Sequence, residues 1–343
     1  MEYHGRYDIF NPAAIKTYPL STRANKVKFE DMLQPSDVSE MAFNLSEETV
    51  GMIETVARQI VSRRRENKPV LFFTGAHLIK NGLGPLLVDL VSRGLVTLVA
   101  GNGATAIHDF ELALIGETSE DVPDALGKGL FGMAYEFAYI NCVLSIGNEQ
   151  KLGYGEALGK MLCDEDFRSR VFSLSAIDDS PQDFLHPEIS VLAACYKNNV
   201  PITIHVGIGT DVTDQHASFN GCAKGGCSGR DFLIYTNQIA QLTAGGVVLN
   251  VGSAVTGPEV LLKAVSMAAN AGKVPNNILT ADFDLRPYSP DAMSDESFQG
   301  YYFRDQKSIV TRIPSAFTGR GFYIQGNQKQ TIPLLYKKII ENL

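Results

Sequence analysis

Apolar residues follow two repeating patterns from position 46 to the end of this chain. Short blocks rich in valine, isoleucine and phenylalanine predict buried strands, and longer stretches with apolar residues every three or four positions predict helices. Because strands alternate with long helices, the pattern predicts an α/β fold with a mostly parallel sheet and helices on both faces. The predicted strands are 69–74, 95–100, 201–206, 246–251 and 277–282, and the predicted helices are 46–65, 82–93, 106–115, 122–140, 154–163, 188–199, 230–242, 258–271 and 331–342, with a loop near 146–155.

The first 45 residues lack these patterns. Pro12, Pro19 and Pro35 interrupt a segment with few periodic apolar positions. We therefore expect residues 1–45 to form an arm that wraps the domain or a neighbouring subunit. The rest of the sequence has no internal repeat, low-complexity tract or charged linker, so we expect residues 46–343 to form a single domain.

Two of the predicted strands end in glycine-containing turns that lead into helices. Thr74 and Gly75 follow the first strand, and Gly101, Asn102 and Gly103 follow the second. At the carboxyl ends of neighbouring parallel strands, such turns direct backbone N–H groups toward a ligand and indicate a nucleotide-type pocket. The spacing is not G-x-G-x-x-G, because GNGATA has alanine at the third glycine, so a plain strand-to-helix turn is the alternative interpretation.

The composition narrows the classes of partner. The formal net charge of −8 argues against nucleic acid, since neutralising phosphates requires a basic face. No stretch reaches the roughly 18 apolar residues of a membrane span, and the N-terminus lacks the apolar segment of a signal peptide. Five scattered cysteines suit a reducing compartment, and Cys222 and Cys227 alone do not make a metal site. We expect a cytoplasmic protein without a metal and without nucleic-acid or membrane partners.

Five segments occur in the order of one known family's motifs. They are TGAHLIKNGLGPLLVDLVSRGLVTLVAGNGATAIHD, KNNVPITIHVGIGTD, AGGVVLNVGSAVTGPEVLLKA, ILTADFD and TIPLLYKKI. The first resembles the T-S-N, S-G-L-R and T-A-G-G-x-E-E-D stretch of the deoxyhypusine synthase superfamily, and the second resembles its K-x-x-I-P-V-F-x-P-A-L-T-D segment. The third resembles its G-x-I-x-L-G-G-G-V-P-K-H-H segment, and the fourth resembles its Y-I-N-T-A. The last resembles its closing apolar helix. The likeness covers about 68–340 and implies a Rossmann-like, deoxyhypusine synthase-like sheet that binds NAD.

The stretch AGNGATAIHDFELALIGETSED is similar to a second group. It resembles G-N-A-x-A-x-H-D-x-E-x-A-L-x-G-T of the NAD-binding ornithine cyclodeaminase domain in the LOR/SDH group. Both relatives, as families, use NAD to oxidise a C–N bond to an imine, which water or a second amine then resolves. The resemblance therefore implies an NAD-dependent transferase or lyase that acts on a small amine or a basic amino acid.

The resemblance also implies roles for single residues. Carried over position by position, it assigns ten residues to the NAD pocket and places Asp214 or His216 against the substrate. Together with Asn102 of the second turn, the predicted cofactor-binding residues are Thr74, Gly75, Gly101, Asn102, Gly103, Asp109, Asp211, Gly252, Ser253, Thr280 and Ala281.

The chain departs from deoxyhypusine synthases at the nucleophile. That family places a lysine in W-G-K and holds the aminobutyl group as an imine, which needs an amine kept neutral by burial. This chain has no tryptophan, and its corresponding region reads SDESFQGYYFRDQKSIV. Lys307 is the nearest candidate, although its polar neighbours are more typical of a surface lysine. We therefore do not expect a strict deoxyhypusine synthase.

The remaining polar residues still suit amine oxidation. An amine substrate needs carboxylates for its ammonium groups and a general base to take its proton before hydride leaves for the nicotinamide. Asp211, Asp214, His216 and Glu259 offer these groups beside predicted turns. We expect His108 or His216 to be the base. For His108, the alternative is a ring that packs against the preceding strand.

Two other functions stay open. His205, Asp211, Asp214 and His216 form H-x5-D-x2-D-x-H on one strand and its following loop, and these residue types suit the zinc or iron site of a metal-dependent hydrolase. For His205, inside an apolar strand, a core histidine is the alternative. The absence of W-G-K also allows a non-catalytic NAD-binding protein.

Arginines indicate a further site near the C-terminus. Arg312 and Arg320, with Gly319 and Gly321, offer an anion-binding loop, because guanidinium groups bind oxyanions bidentately. A plain turn is the alternative. The densest basic run, 63–65, is more typical of the solvated end of a helix.

An oligomer is implied by the resemblance. The deoxyhypusine synthase family forms homotetramers with cofactor sites at subunit interfaces. The arm offers Tyr7, Ile9, Phe10 and Met32 as apolar residues for a neighbouring subunit.

Overall fold

Six parallel strands form the main sheet of the computed structural model, which describes residues 3–175, 177, 181–293 and 295–343. Two further strands, β1 and β4, form a small antiparallel sheet. The strands are β1 (Asn25–Lys28), β2 (Val70–Thr74), β3 (Leu98–Asn102), β4 (Glu117–Glu120), β5 (Ile202–His205), β6 (Gly246–Val251), β7 (Ile278–Asp284) and β8 (Arg320–Gln325).

The order of the strands in the main sheet is β5-β3-β2-β6-β7-β8. Counted along the chain, this is the 3-2-1-4-5-6 order of a Rossmann-like fold, so the fold class predicted from the sequence is confirmed. The order reverses between β2 and β6. The carboxyl ends of these two strands therefore open a crevice, which is where such sheets bind ligands.

Helices flank the sheet and cover its two faces with separate apolar clusters. In β2, Phe72 belongs to one cluster and Phe73 to the other. Burying each of these rings contributes about 1.5–3 kcal/mol. The helices are α1 (Glu47–Arg65), α2 (His77–Lys80), α3 (Gly84–Ser92), α4 (Gly103–Ile115), α5 (Val122–Leu126), α6 (Phe137–Glu149), α7 (Tyr154–Cys163), α8 (Glu165–Ser175), α9 (Val191–Lys197), α10 (Gly221–Ile239), α11 (Thr256–Asn270), α12 (Ile313–Ala316) and α13 (Gln328–Glu341). None of them, within the described residues, is long and apolar enough to cross a membrane.

The five predicted strands are present, but several helix boundaries were wrong. The predicted helix 122–140 is two helices, α5 and α6, and α6 continues into the predicted loop. Helix α10 begins earlier than predicted because the Asn220 side chain accepts hydrogen bonds from the N–H groups of Cys222 and Ala223. This cap outweighs the low helix propensity of the following glycines.

The arm is tied to its own chain through its second half. Strand β1 pairs with β4, and the N–H of Leu20 donates to the Glu136 carboxylate at 2.8 Å. These contacts bring the buried side chain of Arg23 against α4 and β4. The arm therefore supplies a charged residue to the interior of the protein.

Asp231, on α10, anchors the beginning of α7 to strand β5. One carboxylate oxygen accepts from the N–H of Gly155 at 3.0 Å and from that of Ile204 at 2.7 Å. Among the described residues, the other oxygen is buried without a hydrogen-bond partner. Burial raises the pKa of Asp231 from its usual 3.8 to about 8, with backbone hydrogen bonds opposing the shift.

Replacing Asp231 by asparagine should remove one pH-dependent contribution to stability. Because the pKa is higher in the folded state, the contribution of Asp231 is complete below pH 3.8 and is lost as the pH rises to about 8. The loss has a limiting slope of about 1.4 kcal/mol per pH unit. Urea unfolding of the unmodified protein and of Asp231→Asn between pH 5 and pH 8.5 measures this loss. If the unfolding free energies of the two proteins change with pH in parallel, the prediction is wrong.

Candidate functional site

The crevice between β2 and β6 contains a cavity of about 180 Å³. Gly75 and Gly252 let the two strand ends approach, because a Cβ at Gly75 would overlap the carbonyl oxygen of Gly252. Gly252 also has a φ of +61°, which favours glycine. The cavity is lined by His77, Asn81, Gly252, Asp284, Leu285, Asn327 and Gln328.

A second cavity, of about 230 Å³, lies between the arm, α4 and the loop after β5. Helix α2 connects the two cavities, since His77 lines the first and Lys80 the second. The pKa of His77 is lowered by burial and by the nearby charge of Lys80. The ionisable residues that line the second cavity are Arg23, Lys80, His108, Glu111, Glu120 and Asp211.

His108 is oriented by a chain of hydrogen bonds. Its Nδ1 lies 2.7 Å from the hydroxyl oxygen of Thr118, and that hydroxyl donates a short hydrogen bond to Glu111. Because the hydroxyl group of Thr118 donates its proton to Glu111, we assign the proton of the hydrogen bond between His108 and Thr118 to Nδ1. The other ring nitrogen, Nε2, is then the basic one, so His108 has the tautomer of a general base.

Glu111 stays ionised in this chain of hydrogen bonds. Burial acts to raise its pKa, but His108, Arg23 and Thr118 outweigh burial, and the pKa lies below the usual range. A guanidinium nitrogen of Arg23 is 2.7 Å from the carboxylate. Arg23 therefore fixes the charge that orients Thr118 and, through it, His108.

Asp211 is held in place by a lysine that the sequence interpretation missed. Lys224 is only 1% exposed, its Nζ is 2.6 Å from an oxygen of Asp211, and it also makes a short ion pair with Asp214. Burial raises the pKa of Asp211, and Lys224 opposes this shift. A Cβ at Gly103 would overlap the Asp211 carboxylate, which explains the glycine at that position.

Several predicted cofactor residues lie near the strand ends but use their side chains locally. The hydroxyl of Thr74 donates to the carbonyl of Gly75 at 2.9 Å. Asn102 caps α4, and Ser253 accepts from an N–H in the first turn of α11. Gly101 lies within β3, where a Cβ would crowd the Thr105 side chain. Their assignment to the cofactor stays a prediction.

Three predicted cofactor residues have side chains that do not face either cavity. The Asp109 carboxylate accepts from Ser190 and from two N–H groups at the start of α9, and burial raises its pKa to about 6 despite these bonds. The hydroxyl of Thr280 donates to the carbonyl of Ile309, and Ala281 is fully buried. These side chains therefore have structural contacts of their own, and their assignment to the cofactor stays a prediction.

Two of the predicted catalytic residues, His216 and Glu259, have side chains outside both cavities. His216 is buried, and its Nδ1 accepts from the N–H of Ser218 at 3.2 Å. Glu259 pairs with Lys263 and lies 3.7 Å from Arg304 near the surface. The expectation that His216 and Glu259 face the substrate stays a prediction.

Lys307 is not the surface lysine that its neighbours suggested. It is 7% exposed, lies in a π-helix (Gln306–Arg312), and its Nζ is 3.0 Å from the ring centroid of Tyr301. Burial lowers the pKa of Lys307, and the charges of Arg312 and Arg304 lower it further. Lys307 is therefore buried, although it lines neither cavity.

The residues proposed for a metal site do not assemble into one. Within the described part of the chain, no group of three or more histidine, cysteine or acidic residues is arranged to hold a metal. Lys224 already pairs with both Asp211 and Asp214, so an ammonium group lies where a metal ion would have to bind. His205 stacks on Phe73, and burial lowers its pKa to about 4. His205 is therefore a core histidine.

The sequence matches no protein-family model and no curated protein sequence. Among solved structures, the fold is similar to ArgZ, an arginine dihydrolase from the ornithine-ammonia cycle in cyanobacteria, with 15% identity and a TM-score of 0.46. The match covers 86% of this chain and 32% of that protein, so this chain spans about a third of its length.

Two further structures match over most of their own length. One is a conserved putative LOR/SDH protein from Methanococcus maripaludis S2, with 14% identity, a TM-score of 0.47, and coverage of 88% of this chain and 73% of that chain. The other is a putative deoxyhypusine synthase from Entamoeba histolytica, with 9% identity, a TM-score of 0.43, and coverage of 86% and 88%. Both groups that the sequence resembles thus occur among the neighbours.

Proposed function

We propose that this protein is an NAD-dependent enzyme that oxidises a C–N bond of a small amine or a basic amino acid to an imine. The observation that carries the proposal is the oriented His108 in a cavity of mixed charge, which shares α2 with the crevice of a Rossmann-like sheet. Both a transferase and a cyclodeaminase begin with this oxidation.

The second cavity suits a substrate that carries both signs of charge. Among the described residues, Lys80 forms no ion pair with a carboxylate, so its ammonium group would bind the carboxylate of an amino acid. Asp211 and Glu120 would bind ammonium groups. The Nε2 of His108 would take a proton from the substrate nitrogen when hydride leaves the adjacent carbon.

The crevice offers groups that fit a dinucleotide. Helix α13 begins there, and the N-terminal amides of a helix bind phosphate oxygens. The side-chain amides of Asn81 and Gln328 add donors, and the Asp284 carboxylate would accept from ribose hydroxyls. When bound, NAD supplies the hydride acceptor.

Replacing Gln328 by glutamate should weaken NAD binding at least about tenfold, because it puts a negative charge beside the proposed pyrophosphate position. Gln330→Glu is the matched control, since its side-chain oxygen accepts from the N–H of Asn44 and lines neither cavity. Calorimetry with NAD measures both. If the two variants bind NAD with equal affinity, the proposed position of the pyrophosphate is wrong. If the unmodified protein binds neither NAD nor NADH, the redox proposal is wrong.

The reaction is tested with diamines and basic amino acids in the presence of NAD. Stable NADH would indicate a dehydrogenase, whereas transient NADH with release of ammonia would indicate a cyclodeaminase. A transferase would form transient NADH and require a second amine. A protein that binds NAD but forms no NADH with any of these amines would be a non-catalytic NAD-binding protein.

We also propose, as the resemblance implies, that the protein is a homotetramer. Tyr7 and Phe10 of the arm are 74% and 75% exposed, and they support contact with a neighbouring subunit. Met32, by contrast, is buried in the core of its own chain, which corrects its assignment to the interface. A monomer by light scattering would refute this proposal.

A further inference from the structure

A third cavity lies at the opposite edge of the sheet, where β7 and β8 begin. It has a volume of about 310 Å³ and is lined by residues of α1 and of the first positions of the two strands. Its polar lining includes Gln59, Arg63, Asn277 and Arg320. The proposed redox chemistry uses none of these residues, because both cavities described above lie at the carboxyl ends of the strands.

The two arginines give this third cavity an excess of positive charge. Within the described chain, the Nε of Arg63 is buried and has no hydrogen-bond partner. The carboxylate nearest to Arg63, that of Glu66, is 3.9 Å away and lies closer, at 2.6 Å, to Lys68. The guanidinium of Arg320 stacks 4.5 Å from the ring centroid of Phe322, and no described carboxylate pairs with it.

We propose that this cavity binds the oxyanion group, phosphate or carboxylate, of a small molecule. An unpartnered, buried guanidinium N–H is costly, and an oxyanion that accepts from it would remove this cost. The stacking on Phe322 holds the second guanidinium without using its N–H donors. Ile278 and Phe322 provide an apolar wall for the remainder of an organic ligand.

The site differs from the anion-binding loop expected from the sequence. Arg320 is part of it, but Arg312 lies in the π-helix and does not line the cavity. The second arginine comes instead from Arg63, in the basic run that was expected to be solvated. Its neighbours Arg64 and Arg65 use their side chains on backbone carbonyls.

The test is titration of the whole protein with inorganic phosphate, ATP and citrate at constant ionic strength. Thermal unfolding and calorimetry should show saturable stabilisation by at least one of these anions and none by chloride. Tighter binding of phosphate or ATP than of citrate would assign a phosphate ligand, and the reverse a carboxylate ligand. No saturable effect of any of the three would overturn the proposal.

Variants of the two arginines show where the anion binds. Arg320→Gln and Arg63→Gln should each weaken the bound anion roughly tenfold or more, because each removes a charge-assisted contact. Arg58→Gln is the control, since Arg58 is an exposed arginine of the same helix that pairs with Glu54. If Arg63→Gln does not fold, the anion affinity of Arg320→Gln still tests the proposal, because Arg320 is exposed. Equal affinities of Arg320→Gln and Arg58→Gln would show that the anion binds elsewhere and would refute the proposal.

Discussion

Replacing His108 by glutamine should lower kcat for amine oxidation roughly 10²- to 10⁴-fold and leave NAD affinity unchanged. Glutamine has a similar length but cannot take the proton that Nε2 would accept. The assay uses the amine with the highest rate in the substrate panel. His186→Gln is the control, because His186 stacks on Phe29 and lines neither cavity.

A second variant tests the orientation of the base. Thr118→Val keeps the shape of the side chain but removes the hydroxyl group that hydrogen-bonds to both His108 and Glu111. We expect kcat to fall roughly 3- to 10-fold and its pH dependence to change, because the imidazole loses its fixed tautomer. If His108→Gln retained normal kcat, the base would be another residue and the proposed role of the cavity would be wrong.

Replacing Lys224 by methionine should cost about 3–5 kcal/mol of unfolding free energy at pH 7. The substitution keeps most of the side-chain volume but leaves Asp211 and Asp214 buried without their counter-charge. Urea unfolding measures the loss, which is a large part of the stability of an ordinary domain. The exposed Lys263, which pairs with Glu259, is the control, and Lys263→Met should cost no more than about 0.5 kcal/mol.

The pH dependence of this variant separates charge from packing. Without Lys224, the pKa of Asp211 should rise further in the folded state, so stability should recover as the pH falls and this carboxyl group becomes neutral. Adding Asp211→Asn and Asp214→Asn to Lys224→Met should recover stability at pH 7. A loss that is the same at low pH would show that packing, and not the buried charge, explains it.

The sheet could be predicted because its strands are buried on both faces. VLFFT of β2 is entirely apolar up to its last residue, which is typical of a central parallel strand. Strand β8 was missed because RGFYIQ lies at the edge of the sheet and begins and ends with exposed polar residues. Phe322, Tyr323 and Ile324 are buried, but an apolar block of three residues does not distinguish a strand from a turn.

The site could be predicted only in part, because local sequence does not show where an ionised side chain points. His108 follows a glycine turn and does line a cavity, but Asp109, its neighbour, faces the other way and caps a helix. Arg23 was missed because β1 and β4 bring together residues 92 positions apart, such as Asn25 and Glu117. For Lys224 there was a local signal: a single cation among small residues, in GCAKGGC, indicates a buried charge.

The arm lines one of the two cavities and not the other. The crevice proposed for the cofactor is built by β2, β6, β7 and α13, whereas the arm contributes Arg23 to the cavity proposed for the substrate. Substitutions near Arg23 would therefore act on the proposed substrate cavity and, through Glu111, on the orientation of His108. Because the arm also buries Met32 in the core, new specificities would have to come from single substitutions near Arg23 and not from exchange of the whole arm.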